Sequence, residues 1–291
     1  MTAHCAYRAF GTEASKQALR ADIRDKGPLY DAWLTQASME GDLTPISRDY
    51  GLHPALARLV PALGAFGEGD EAPAFYDALL DAIPVGAETG NLARRTVLLA
   101  WTDPVYGRAQ RVAAGPVREA CEAVIALVRQ SMAAPVDKQT WRAARAKLAQ
   151  VQRDASAPEK AVDLVLSLAW DLEQAPGAVQ DAMLAWTSQL SAEANAADDD
   201  QFTEAEAALF KANLDRINQE IIATTSDESS DEDFDYEAFM EEVNKRWVAD
   251  PVAQALRVRA LARQVRVKAR LATWRTVVQK KLVDDATTLV V

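Results

Sequence analysis

The sequence predicts an all-α protein built from stacked antiparallel helical hairpins, as in a helical bundle or solenoid. Apolar residues make up 49% of the 291 residues, which is enough for a sizeable core. Alanine is abundant and β-branched runs are scarce, and alanine costs least to place in a helix. Apolar residues recur at helical spacing in consecutive segments joined by turns, a pattern typical of helical hairpins. No repeat of fixed length is present, so no named repeat family is assigned.

Four helices are predicted in the first third of the chain. Thr12 is placed to cap a helix from Glu13 to about Lys26, and Gly27 and Pro28 would end it. A short helix carrying Leu29, Trp33 and Met39 should follow. Two more helices are predicted over residues 53–65 and 73–83, and loops are predicted at 64–69 and 84–90. The inward face of the first helix carries Leu56, Leu59, Val60 and Leu63, and that of the second carries Phe75, Leu79 and Leu80.

The middle of the chain has the clearest helical periodicity. Pro116 begins a helix whose apolar residues fall on one stripe, and a second helix spans Trp141 to Val151. Ser156 and Glu159 form a capping box for a third helix. A fourth helix follows Pro176 and Gly177. The apolar stripes consist of Val117, Cys121, Val124, Ile125 and Val128; Trp141, Ala144, Leu148 and Val151; Val162, Val165, Ala169 and Leu172; and Val179, Met183, Trp186 and Leu190.

A predicted linker near residue 197 divides the chain into two domains, a helical stack at 1–197 and a C-terminal helical region at 198–291. Ala194 to Asp200 is interpreted as a linker because it contains three successive aspartates. Thr203 and Glu206 form a second capping box. The helix after it aligns Phe210, Leu214, Ile217 and Ile221 on one face.

Two segments of opposite charge distinguish the C-terminal region. Residues 226–242 carry nine acids and no base, whereas residues 252–281 carry nine bases and no acid. Because runs of like charge stay hydrated, a disordered loop is predicted at about 225–236. The basic segment should be helical, with Leu271, Trp274, Val278 and Leu282 on one stripe. The two segments either offset each other's charge or form plain solvated faces, or one of them docks a partner of opposite charge.

The sequence contains no recognisable catalytic or metal-binding motif. Its two histidines, His4 and His53, and its two cysteines cannot supply the usual zinc ligand sets. A calcium loop beginning at Asp231 would need glycine at its sixth position, where Tyr236 stands. His53 precedes Pro54 at a helix start, so a capping role is expected for it rather than a role as a base. We therefore expect a protein without cofactor that is not an enzyme.

Net charge, cysteine content and the absence of targeting signals indicate which partners and which cellular location to expect. The net charge of −11 disfavours nucleic acids and anionic membranes, and it favours a basic partner or simply solubility. Cys5 and Cys121 do not form a disulfide framework. The N-terminus lacks the pattern of a signal peptide, and no stretch approaches about 18 consecutive apolar residues. A cytoplasmic location is expected.

Four tryptophans are candidates for either core or interface roles. Trp101, Trp141 and Trp186 fit buried helix faces, so core positions are expected for them. Trp170 lies off the main stripe of its helix. It forms either a second packing face or an exposed anchor of the kind found in interface hot spots.

A series of short motifs carries a family resemblance. Tyr50-Gly51-Leu52 and Phe75 lead to the turn Asp81-Ala82-Ile83-Pro84-Val85-Gly86-Ala87, followed by Leu99-Ala100-Trp101-Thr102-Asp103-Pro104, by Pro116 to Ala120, and by Trp141 to Arg145. This order, over about residues 50–150, resembles alanine-rich helical immunity proteins of bacterial polymorphic toxin systems. The chain departs from them at Glu88-Thr89, where the relatives have Asp-Leu, and throughout its charged C-terminal region. The resemblance implies protein binding, and the group has no established catalytic residues that could be carried over to this chain.

The leading functional prediction is an immunity-like or antitoxin-like protein that binds a basic partner through an acidic helical surface. Its expected contact residues are Trp170 and the acids Asp227, Glu228, Asp231, Glu232, Asp233 and Asp235. One alternative is a nucleic-acid-associated regulator that contacts phosphates through Arg257, Arg259, Arg263, Arg266, Lys268 and Arg270. Another is a helical assembly component whose basic helix packs on a second subunit.

Overall fold

The computed structural model describes residues 7–26, 44–64, 71–154, 160–225 and 236–291. Over these ranges the chain forms α-helices, one short 3-10 helix at Ala109–Arg111 and no β-strand, which confirms the predicted all-α class. None of the helices in the described ranges combines the length and the apolar character needed to cross a lipid bilayer.

Twelve α-helices are found in the described ranges. Their bounds are α1 Glu13–Lys26, α2 Thr44–Tyr50, α3 Pro54–Gly64, α4 Glu71–Ala82, α5 Gly90–Thr102, α6 Pro116–Ser131, α7 Lys138–Asp154, α8 Lys160–Leu168, α9 Ala178–Ala196, α10 Glu204–Thr225, α11 Tyr236–Val248 and α12 Pro251–Thr287. The predicted starts at Glu13 and Pro116 are confirmed.

The chain divides into two compact units. Unit 1 comprises Met1–Leu190 and Ala272–Val291, and unit 2 comprises Ser191–Leu271. The sequence-based division placed a single boundary between residues 197 and 198. In the structure, by contrast, the last 20 residues group with the N-terminal part of the chain, because the end of α12 packs there through Trp274, which meets Trp186 edge-to-face at 4.9 Å between ring centroids.

In unit 1, α1 packs on α4, while α3 packs on α2, α4 and α5. Thr12 accepts a hydrogen bond from the Ser15 backbone N–H at 3.1 Å, which is the capping role predicted for it. The guanidinium of Arg20 on α1 binds both carboxylate oxygens of Asp77 on α4 at 2.8 and 3.0 Å. That pairing lowers the pKa of Asp77 to about 2.

A short N-terminal segment joins two of the turns on which the family resemblance depends. The backbone N–H of Phe10 donates to Tyr50, and Ala9 exchanges hydrogen bonds with the turn at Gly86 and Ala87. Gly51 has a φ of +62°, and a Cβ added there would lie 1.9 Å from the carbonyl oxygen of Arg8. The sharp reversal at Gly51 therefore needs glycine.

The second half of unit 1 is built around α6, α7 and α8, which all pack on one another, with α5 against α6 and α8. The predicted core tryptophans Trp101, Trp141 and Trp186 are at most 3% exposed, and Cys121 is fully buried. Asp103 caps the following turn by accepting from the backbone N–H groups of Val105 and Tyr106.

Unit 2 has a small core of its own where α10 packs on α11. Ile217, Ile221 and Trp247 are buried together, and the ring of Phe210 stacks on that of Trp247. The capping box of Thr203 and Glu206 forms as predicted, with both side chains accepting from the backbone N–H of the other residue.

The predicted linker at Ala194 to Asp200 is wrong in its first part. Helix α9 continues through Ala196, since alanine propagates a helix at little cost. Asp198 is buried and held by Arg266, and Asp200 binds Arg259, so two of the three aspartates are part of the packed structure of unit 2. Several predicted features lie outside the described residues: the stop at Gly27 and Pro28, the helix with Leu29, Trp33 and Met39, the capping box of Ser156 and Glu159, and most of the loop at about 225–236.

Candidate functional site

Unit 1 contains a cavity of about 240 Å³ at the C-terminal end of α6. Tyr7, the start of α5, the turn after Ser131 and the turn between α8 and α9 form its walls. Two side chains that are only 4% exposed, His53 and Arg94, line it. With His53, which directly precedes α3, the cavity therefore joins five separate parts of the chain.

Glu173 is the central charged group of the cavity. Its Oε1 accepts a hydrogen bond from Arg94 at 2.8 Å and lies 3.1 Å from Nε2 of His53. These two neighbours, His53 first and Arg94 second, lower the pKa of Glu173 from 4.5 to about 2 against the opposing effect of burial. Glu173 is therefore ionised throughout the physiological range of pH.

The hydrogen bonds of His53 determine which of its ring nitrogens carries the proton. Nδ1 accepts from the backbone N–H of Ala55 at 3.1 Å, so Nδ1 is not protonated. The proton must then lie on Nε2, which donates it to Glu173. Both nitrogens of the ring are thus engaged within the protein, and this agrees with the predicted capping role. His53 has no lone pair left with which to act as a general base.

Packing around the cavity holds this cluster in place. The ring of Tyr7 meets that of His53 edge-to-face at 5.3 Å between centroids. A Cβ added at Gly90 would lie 3.1 Å from Cδ2 of His53 and 3.3 Å from the guanidinium of Arg94, so glycine leaves the space that both side chains occupy. The buried Nε of Arg94 has no hydrogen-bond partner among the described residues.

The balance of charge at the cavity is negative. Three carboxylates, those of Glu88, Asp171 and Glu173, line it against the single guanidinium of Arg94. The cavity also adjoins the last turn of α6, and a helix C-terminus carries roughly half a negative charge. This arrangement favours a cationic group such as an ammonium or a guanidinium. Within the described ranges, no cluster of His, Cys, Asp and Glu is arranged to hold a metal ion.

The predicted contact residues fall in different places. The six acids from Asp227 to Asp235 lie outside the described residues. Trp170 is 43% exposed and lies in an open groove of unit 1, where the guanidinium of Arg145 stacks 3.7 Å from its ring centroid. Of the two alternatives for Trp170, the structure therefore shows the exposed side chain, and the side chain that stacks on it, Arg145, is basic.

The basic residues of α12 are largely paired within unit 2. Arg259 binds Asp200 and Glu206, and Arg266 binds Asp198. The pairing raises the pKa of Arg259, chiefly through Asp200, and lowers that of Asp198, chiefly through Arg266. Three further arginines donate to neutral oxygens, namely Arg257 to Asn244, Arg263 to the Asn195 carbonyl and Arg270 to the Ala194 carbonyl, while Lys268 is exposed.

Comparisons with known proteins find no match to any protein family model, any curated protein or any solved structure. The observations that bear on function are therefore the geometry of unit 1 and the charge of the chain. Sequence reasoning recognised His53 but missed Glu173 and Arg94. No short spacing links these residues, because Glu173 follows His53 by 120 positions.

Proposed function

We propose that this chain is a non-enzymatic, immunity-like or antitoxin-like protein that acts in the cytoplasm by binding a basic partner protein. The observation that carries the proposal is the cavity of unit 1, where Glu88, Asp171 and Glu173 outnumber one guanidinium. A lysine or arginine side chain of the partner would enter this cavity and bind the carboxylates. The net charge of −11 would speed the encounter with such a partner.

Two features support binding rather than catalysis at this cavity. The ring of His53 is committed to Ala55 and Glu173, so the strongest candidate for proton transfer is engaged. The neighbours of Glu173 keep its carboxylate ionised. An ionised carboxylate can bind a cation of a partner, but it has no proton to donate as a general acid.

The distribution of charge in unit 2 supports a basic partner rather than a nucleic acid. Residues 191–271 contain 18 acidic and 10 basic side chains. Arg259 and Arg266 already bind carboxylates of the same unit, which lowers the positive potential that α12 offers to phosphates. The carboxylates that bind Arg259 and Arg266 lie at residues 198–206. These carboxylates, which lie outside the acidic segment 226–242, neutralise the two arginines.

The test has two steps. First, the full-length protein is used to capture partners from the native lysate at low and high ionic strength, and the candidate encoded beside its gene is tested for toxicity that the chain relieves. Second, association of the purified pair is measured by stopped flow with Glu88→Gln and Asp171→Asn. We expect each substitution to slow association by about two- to fivefold at low salt, as for an exposed ion pair worth up to about 1 kcal/mol.

Asp25→Asn is the matched control, because Asp25 is an exposed acid on α1 that does not line the cavity. It removes the same charge and should leave association almost unchanged. Equal slowing by all three substitutions would mean that only overall charge matters. Failure to capture or neutralise any basic neighbour would refute the proposed function itself.

A further inference from the structure

A second surface of unit 1 has the opposite charge to the cavity. It is an open groove of about 570 Å³ between α7, the end of α8 and α9. Arg142 and Arg145 line it from α7, and Asp181 from α9 is the single acid among its lining residues. The chain has a net charge of −11, so a basic groove does not follow from its overall composition. The presence of two arginines and one acid in this groove therefore needs a separate explanation.

Trp170 is the exposed aromatic of this groove. Arg145 stacks on its ring and also donates to the carbonyl of Ala169 at 3.2 Å, and together these contacts fix the position of the guanidinium. The indole N–H of Trp170 has no hydrogen-bond partner among the described residues. A rigid, half-exposed tryptophan with arginine beside it has the composition of a binding hot spot.

Arg142 supplies a second cation one helical turn before Arg145. It is exposed and has no hydrogen-bond or ion-pair partner in the described part of the chain. The small side chains of Ala146 and Ala149 leave space in the groove beside the two arginines. The groove thus offers an apolar surface, two guanidinium groups and an indole N–H, all of which suit a ligand that combines an apolar side chain with carboxylates.

We propose that this groove docks an acidic peptide segment of a partner protein, in which an apolar side chain is flanked by aspartate or glutamate. The apolar side chain packs against the exposed edge of Trp170, and the flanking carboxylates bind Arg142 and Arg145. This proposal is independent of the proposed function, because it concerns a different surface and a partner of opposite charge.

The test uses a fluorescently labelled peptide, acetyl-Glu-Glu-Phe-Glu-Glu-amide, and anisotropy with the full-length protein. We expect saturable binding, and binding weaker by roughly tenfold when glutamine replaces every glutamate. Arg142→Gln and Arg145→Gln should each weaken binding several-fold. Arg153→Gln is the matched control, since Arg153 is an exposed arginine of the same helix outside the groove, and it should have no effect.

A second measurement places the peptide on Trp170. The protein is labelled with 5-fluorotryptophan, and the fluorine signal of Trp170 is assigned with Trp170→Phe. The peptide should shift that signal more than the signal of any other tryptophan. Equal affinity for the glutamine peptide, equal weakening by Arg153→Gln, or no binding at millimolar peptide would overturn the proposal. Displacement of the peptide by an oligonucleotide of the same net charge would also overturn the proposal, because it would show that the groove binds polyanions in general.

Discussion

Replacing Glu173 with glutamine should lower the free energy of unfolding by about 2 kcal/mol at pH 7. The fall in the pKa of Glu173 from 4.5 to about 2 sets an upper limit of about 3 kcal/mol, at roughly 1.4 kcal/mol per pKa unit. The side chain is 28% exposed, so solvent screening reduces this figure. The glutamine oxygen still accepts from Arg94, but the buried guanidinium loses its counter-charge.

The loss should depend on pH in a definite direction. Because the pKa of Glu173 is lower in the folded than in the unfolded state, its stabilisation is complete above about pH 5 and is lost as the pH falls through about 2. The stabilities of the wild-type protein and of the variant should therefore converge on acidification. Urea unfolding, followed by circular dichroism at several pH values from 7 down to 3, measures this convergence.

Glu88→Gln is the matched control for this experiment. Glu88 lines the same cavity but has no hydrogen-bond or ion-pair partner among the described residues, so its removal should leave stability almost unchanged. The reasoning is refuted if Glu173→Gln is as stable as the wild-type protein at pH 7, or if its deficit is the same at pH 3 as at pH 7.

Three further predictions concern the scaffold of unit 1. Asp77→Asn should cost about 1–2 kcal/mol at pH 7 in urea unfolding, with a deficit that shrinks towards pH 2, because Arg20 holds the pKa of Asp77 down at about 2; a deficit independent of pH would contradict this. Gly51→Ala should lower the thermal midpoint well beyond Gly11→Ala, since both glycines have positive φ but only Gly51 faces a backbone oxygen; equal losses would show that φ alone matters. Asp103→Asn should cost about 1–3 kcal/mol, measured in urea, because two backbone N–H groups and a lysine donate to this buried carboxylate; a neutral effect would contradict that role.

Features determined by neighbouring residues could be predicted from the sequence. The cap at Thr12, the helix start at Pro116 and the box of Thr203 and Glu206 all depend on residues within one helical turn, and the structure confirms them. The burial of Cys121 followed from its place on an apolar stripe. The predicted stacking as consecutive hairpins stays a prediction.

The candidate sites could not be predicted in the same way, because their residues are distant in sequence. Glu173 and Arg94 are 79 positions apart, and only the packing of the intervening helices brings them together. The runs of like charge in the sequence also did not predict which charged residues pair with each other. Mutual offsetting of the acidic and basic segments was one of the interpretations left open. The described carboxylate partners of Arg259 and Arg266 are instead Asp198 and Asp200, in the stretch interpreted as linker, and Glu206 of the capping box. Sequence shows which charges exist, and only the fold shows which of them are adjacent.

The burial of Cys121 and Trp247 provides each unit with its own natural reporter. Unit 2 contains no cysteine and a single tryptophan, Trp247, which is 3% exposed. With Cys5 replaced by serine, the rate of thiol labelling would report openings of unit 1 alone, because a fully buried thiol reacts only when its surroundings unfold. The fluorine signal of Trp247 would report unit 2. One protein sample would then show whether the two units melt together or separately.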